Sequence, residues 1–330
     1  MTAVDAVEEE QAAPSSARAQ AAHRRLTEAH RRFTAATARI DALKARAPRL
    51  IAILRVVYYP FAILLVAWFA YQASRKIDVG DLHWWPLVGS YVAALVWWSA
   101  LALGWSALVA DRFEAGWFAS WCRTQVARYL PGGFWAPLAR ATTVQGRVRD
   151  KVAAVGAENV TVLCVALGAG AVWASVHNPR WLPLGLVAFA PLLAGRWLER
   201  RTRVSRRAVA RASVTYAVGY VAYGISGILA QVAVSGWRDP TYPLYVAGAS
   251  CVAWAVGLVV VFAPSGVGVR EVVYVWMLSG LYPQADLKGA AVASRLVTVF
   301  AELTVLLAVG FVGRATRSRD DQSRGSTSRS

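Results

Sequence analysis

Between Pro86 and Ala110 the chain carries no charged side chain. About 20 predominantly apolar residues suffice to cross the hydrocarbon core of a bilayer, and this run is longer. A soluble core would not need uninterrupted apolar runs of such length, nor so many. Comparable runs lie near residues 51–73, 152–176, 181–197, 212–235, 243–263 and 287–312. The composition is 57% hydrophobic and 17% charged, with the charges gathered between the runs. The chain therefore reads as an all-α, polytopic helical membrane protein of seven or eight spans.

Residue types within the runs add detail. Pro60, Pro183 and Pro191 predict kinks, which membrane helices tolerate where neighbours satisfy the freed backbone groups. Gly219, Gly224 and Gly227 mark the 212–235 run as a closely packed helix. Trp84, Trp85, Trp181 and Trp237 sit where an interfacial aromatic belt forms.

The formal charge of +17 does not imply nucleic acid. The basic residues flank apolar runs, where they set topology and meet anionic headgroups. Segments 1–50, 111–151 and 196–211 are arginine-rich, whereas the connections 74–85, 177–181 and 236–242 are not. This pattern predicts a multi-pass protein of the cytoplasmic (inner) membrane with a cytoplasmic amino terminus. Seven crossings would leave the carboxyl tail outside, yet the tail holds Arg314, Arg317, Arg319, Arg324 and Arg329. Either an eighth, short crossing between 264 and 286 resolves the conflict, or the tail departs from the rule. The run Val272 to Tyr282 is too short to cross as a regular helix at about 1.5 Å per residue, so broken half-helices are expected there.

Four segments follow from this reading: 1–14 disordered, 15–50 a cytoplasmic helix, 51–313 the transmembrane domain and 314–330 a disordered basic tail. Within 15–50, Leu26, Phe33, Ile40 and Ala47 repeat every seven residues, and Ala22, Ala29, Ala36 and Leu43 fill the second seam. An alanine-rich heptad fits a helix lying on anionic lipid, or a short coiled coil that makes a homodimer. The first apolar run is long enough to be a retained span rather than a cleaved signal. Cys122, Cys164 and Cys251 are too few and too scattered for a disulfide framework or a metal site.

Two runs are broken in the same way. Arg128-Tyr129-Leu130-Pro131-Gly132-Gly133 interrupts one, and Ala263-Pro264-Ser265-Gly266-Val267-Gly268-Val269-Arg270-Glu271 the other. Proline lacks a backbone donor, and glycine permits conformations closed to other residues. A half-helix starting after such a break turns its free amides and positive dipole end into the protein. One break lies in each half of the chain, as in an inverted pseudo-repeat, and paired interruptions of this kind point to a substrate site. Charged residues gather beside them: Arg128, Arg140, Glu158, Arg270, Glu271, Arg295 and Glu302. A charge at the centre of a membrane helix costs at least about 2.5–3.5 kcal/mol on insertion scales, so each should face a cavity or a partner. Glu158 needs a cation, for which Arg128 and Arg270 are candidates. Arg295 and Glu302 lie two turns apart on one helix face and should each meet another element. The expected substrate-binding set is Arg128, Pro131, Gly132, Gly133, Arg140, Glu158, Pro264, Gly266, Gly268, Arg270, Glu271, Arg295 and Glu302. Two positive half-helix ends with arginines at one depth would hold an anion such as a lipid phosphate.

The two broken motifs, with Glu158 between them, resemble the lysylphosphatidylglycerol synthase transmembrane family, the flippase-like membrane domain of the multiple peptide resistance factor. The resemblance covers about residues 50–313. It implies an α-helical inner-membrane protein and, for some members, movement of a modified anionic phospholipid between leaflets. Other relatives are linked with polyprenyl-phosphate sugar pathways. A basic residue common after Pro-Gly in the family is replaced here by Gly133. The soluble aminoacyl-transfer domain of the synthases has no counterpart in this sequence.

No phosphate loop, nucleophile elbow or His/Cys metal spacing is present in the sequence. No cofactor or metal is expected, and the protein is read as a lipid translocase rather than an enzyme. Two alternatives stay open. One is a membrane-embedded glycosyl- or lipid-transferase using Glu158 or Glu271 as base. The other is an accessory subunit of a cell-envelope enzyme, docked through the amino-terminal helix.

Overall fold

A computed structural model describes residues 27–28, 71, 82–129, 135–176, 178–237, 240–260, 266 and 268–327, with side chains through Phe311. The chain divides into two compact units, 1–61 and 62–330. In the first, only Thr27 and Glu28 are described, both helical. The expected 51–73 span, the heptad segment and Pro60 lie outside the described residues.

The described residues form helices and no strand. In order they are α1 (Trp84–Ala110), α2 (Ala115–Gln125) with a 3₁₀ turn (Val126–Tyr129), α3 (Trp135–Thr143) and α4 (Val148–Ser175). A 3₁₀ segment (Pro179–Phe189) leads into α5 (Ala190–Arg201), followed by α6 (Arg206–Ser235), α7 (Tyr242–Val259), α8 (Val269–Leu278) and α9 (Gln284–Thr327). Six of these helical stretches are long and apolar enough to cross a membrane: α1, α4, 179–201, α6, α7 and residues 284–311 of α9. They coincide with six of the seven apolar runs. The ten-residue α8 occupies the interval where a short eighth crossing is expected.

Two details differ from the expectation. Pro183 and Pro191 do not kink α-helices. Pro183 lies inside the 3₁₀ segment, and Pro191 stands in the first turn of α5, where a missing N–H has no intrahelical partner to lose. The last helix continues through residues 314–327, where the sequence reading has a disordered tail. That stretch continues a long helix and has no proline to stop it.

Small residues bring the helices together, as their spacing on α6 predicts. A Cβ on Gly219 would lie 2.9 Å from Ala100 on α1, and one on Gly224 3.0 Å from Ala247 on α7. Between α1 and α6, Ser90 and Ser226 clasp each other. Each hydroxyl donates to the other residue's carbonyl, at 2.8 and 2.9 Å. Gly170 of α4 and Gly248 of α7 meet backbone to backbone, so that a Cβ on Gly248 would stand 2.8 Å from the Gly170 carbonyl. Close backbone approach and interhelical hydrogen bonds are what hold helices together where lipid removes the hydrophobic drive.

The core is aromatic. Trp97 packs on Tyr223 (centroids 4.4 Å) and Trp98, Trp98 on Trp121 (5.5 Å) and Tyr220 on Trp254 (5.3 Å). Other large apolar side chains face outward, among them Leu186, Leu193, Val214, Val272 and Trp276. In water such a surface would be an aggregation hazard, whereas against lipid it is the expected exterior.

The bundle has a polar end and an aromatic end. The backbone N–H of His83, before α1, donates to the Ala233 carbonyl near the end of α6. That contact places the exposed Trp84, Trp85 and Trp237 together. At the opposite end Asp111, closing α1 in a left-handed conformation (φ 55°), accepts from Ser205 and pairs with Arg211 at 3.0 Å. Exposed arginines 200, 201, 203, 206 and 207 flank this contact.

Candidate functional site

After the second break the chain rebuilds helix in a specific way. Gly266 and Gly268 both have positive φ (67° and 83°), a region that side-chain-bearing residues rarely occupy. Gly268 caps α8, its carbonyl accepting from the Val272 N–H at 3.0 Å. The first turn of α8 thereby carries Arg270 back against α7. The Arg270 stem lies in a slot made of glycine backbone. A Cβ on Gly257 would stand 2.5 Å from Arg270 Cγ, and one on Gly266 2.8 Å from Arg270 Nε. The guanidinium sits over the Trp254 ring, 5.2 Å from its centroid.

After the first break α3 starts at Trp135, and its Ala136, Pro137 and Arg140 border the same space as Gly266 and Arg270. That space is a cavity of about 440 Å³. Arg128, Arg140, Arg270 and Glu158 all line it, together with Trp98, Trp121 and Trp254. Each arginine is laid on a different indole: Arg128 on Trp98 at 4.6 Å, Arg140 on Trp121 at 5.7 Å and Arg270 on Trp254. Stacking holds a guanidinium through its face and leaves its N–H edge for an anion.

Two of the three arginines already have carboxylates. Arg128 donates to Glu302 Oε2 of α9 at 2.7 Å. Arg140 donates to Glu158 Oε1 of α4, which also accepts from Trp121 Nε1 at 2.7 Å. Both glutamates are buried, at 2% and 3% exposure, so the pairing offsets a large desolvation cost. Glu158 thus takes its cation from Arg140, not from Arg128 or Arg270 as its sequence context pointed to. The short turn between α3 and α4 folds Arg140 back over Glu158, and Arg128 is engaged by Glu302. Arg270 differs from both: among the described residues it forms no hydrogen bond and no ion pair, and its Nε is buried.

A second, smaller pocket of about 40 Å³ adjoins through Arg270. Glu271, Arg295, Tyr223 and Tyr274 share its wall. Tyr274 donates to Gln231 at 2.8 Å, tying α8 to α6.

Of the expected site residues, the structure brings Arg128, Arg140, Glu158, Gly266 and Arg270 to one cavity. Glu302 reaches it through Arg128, and Glu271 and Arg295 lie at the adjoining pocket. Gly268 sits behind it as the cap of α8. Pro131, Gly132, Gly133 and Pro264 lie outside the described residues. Sequence reasoning missed the three stacked tryptophans and Gly257. Tryptophan in an apolar run looks the same whether it faces lipid or a cavity, and Gly257 looks like one more packing glycine.

The chain matches no protein-family model, and no curated protein matches it.

Proposed function

We propose that the protein moves an anionic lipid, a phospholipid or a polyprenyl-phosphate-linked lipid, across the cytoplasmic membrane. The observation that carries this reading is Arg270, a guanidinium with no ion pair among the described residues, lining a cavity that the starts of α3 and α8 both border. An uncompensated cation inside a membrane protein is expensive and marks a substrate pathway. The phosphate binds the edge of Arg270, with Arg128 and Arg140 beside it, while the acyl chains stay in lipid. The resemblance to the flippase-like family supports the same reading. The topology belonging to it has eight crossings, with residues 264–286 supplying the short one. Both termini are then cytoplasmic, and the two broken segments occupy matching places in an inverted pseudo-repeat.

The test is lipid movement in liposomes containing the purified protein and a fluorescent phosphatidylglycerol. The wild type should equilibrate the label between leaflets, and an Arg128→Ala, Arg270→Ala double variant should not. Equal rates from the two proteins would remove the mechanism.

A further inference from the structure

We infer that lipid movement is coupled to protons and that Glu271, in the smaller pocket, is the group that carries the proton. This inference rests on the anionic-lipid reading above and names its driving force.

The smaller pocket is built from polar groups. Helices α6, α7, α8 and α9 converge on it, and Tyr223, Ser250, Tyr274, Ser294 and Thr298 bring five hydroxyls to its wall. Three of these already donate elsewhere. Ser250 donates to the Val246 carbonyl and Thr298 to the Arg295 carbonyl, both at 2.9 Å, and Tyr274 donates to Gln231. Their oxygens remain as acceptors. Glu271 adds a carboxylate whose Oε2 is buried with no hydrogen-bond partner. It forms no ion pair among the described residues.

An acceptor-rich wall calls for donors. One water needs about 10–15 Å³ of such space, so the pocket, at about 40 Å³, admits about three. Water that reaches the carboxylate can deliver a proton or remove one, and intramembrane carboxylates facing polar space mark proton relays. A metal cation would also suit oxygen ligands, but Arg270 and Arg295 share this wall and repel it. A proton makes the carboxyl neutral instead.

Arg270 links proton to lipid, because it belongs to the walls of both the pocket and the large cavity. Two anions beside one guanidinium repel each other. Protonation of Glu271 and binding of a phosphate therefore favour each other, reciprocally. The other titratable or charged groups facing Glu271 are Tyr223 of α6, Tyr274 of α8 and Arg295 of α9, while α7 contributes only the Ser250 hydroxyl and Ala253. Glu271 takes the proton on a carboxylate oxygen from water on one side and returns it to water on the other. A singly charged anion and one proton then cross together without net charge.

The experiment uses liposomes holding the full-length protein and a fluorescent phosphatidylglycerol, in sodium-free potassium buffer with valinomycin to clamp the membrane potential. Protein-free liposomes measure passive redistribution over the same time. With the interior one pH unit more alkaline, the wild type should concentrate the label in the inner leaflet beyond that control, towards about tenfold. A folded Glu271→Gln protein should equilibrate the label at equal pH and fail to concentrate it under the gradient. A wild type that equilibrates the label but never concentrates it beyond the control overturns the inference and leaves the anionic-lipid reading standing. Enrichment retained by Glu271→Gln, or no movement by the folded variant at equal pH, overturns the role of Glu271. A wild type that moves no label under either condition removes both readings. Should Glu271→Gln not fold, the wild-type response to the gradient alone decides.

Discussion

Substituting Gly257 by alanine should disarm the site while leaving the protein folded. The new Cβ would stand 2.5 Å from Arg270 Cγ, 2.6 Å from Nε and 3.1 Å from Cδ. Non-bonded heavy atoms rest at about 3.5–4.0 Å, so the side chain must retreat by about 1 Å. Overpacking of this kind costs about 1–3 kcal/mol. Here the cost falls on the position of Arg270 over Trp254, because the obstacle is a side chain that can leave its slot. With a factor of ten for every 1.4 kcal/mol, affinity for a labelled anionic lipid should fall by about five- to a hundredfold. Helix propensity acts in the opposite direction, alanine being better than glycine by up to about 1 kcal/mol, so the midpoint of thermal unfolding should move little. The assay pairs lipid binding with thermal unfolding of the same detergent-purified samples. Gly156→Ala on α4 is the control, since a Cβ there meets nothing within 4 Å, and it should bind like the wild type. Wild-type affinity in a folded Gly257→Ala protein would refute the assignment of Arg270 as headgroup ligand.

Two further outcomes are expected. Arg140→Ala strands Glu158 in the interior and should destabilise by about 3–5 kcal/mol, whereas Arg140→Leu combined with Glu158→Leu should cost far less. Thermal unfolding of the two proteins side by side checks this. Gly248→Val should prevent assembly, because its Cβ would press within 2.8 Å of both the Gly170 carbonyl and the Ala174 N–H nitrogen. Those backbone atoms cannot give way as a side-chain tip can. Gel filtration in mild detergent should show aggregate in place of a single peak.

The helices were readable because a bilayer imposes length and apolarity at once. The run 86–110 differs from α1 (Trp84–Ala110) by two residues at one end. The glycines of α6 were equally legible, since a Gly repeated along an apolar run has few purposes other than close approach. Partner choice was not legible. Glu158 and Arg140 are 18 residues apart, and their meeting depends on how sharply the chain reverses between α3 and α4, which no periodicity encodes. Trp98 and Trp276 both occur in apolar stretches, yet one lines the cavity and the other is 72% exposed. Proline was misleading at 183 and 191 because its effect depends on whether it falls within a helix or at its start.

The two closed ion pairs treat the two breaks differently. The segment from Arg128 to Arg140 is stapled at both flanks, to α9 through Glu302 and to α4 through Glu158. Displacing it would open two buried salt bridges, each worth about 3–5 kcal/mol to disrupt. Arg270 forms no ion pair among the described residues, and α8 is held by the Tyr274–Gln231 hydrogen bond and by Tyr274 and Leu278, buried with Val246, Ala249, Leu287 and Ala290. The paired interruptions are thus held by different means: the first by buried charge, the second by apolar packing.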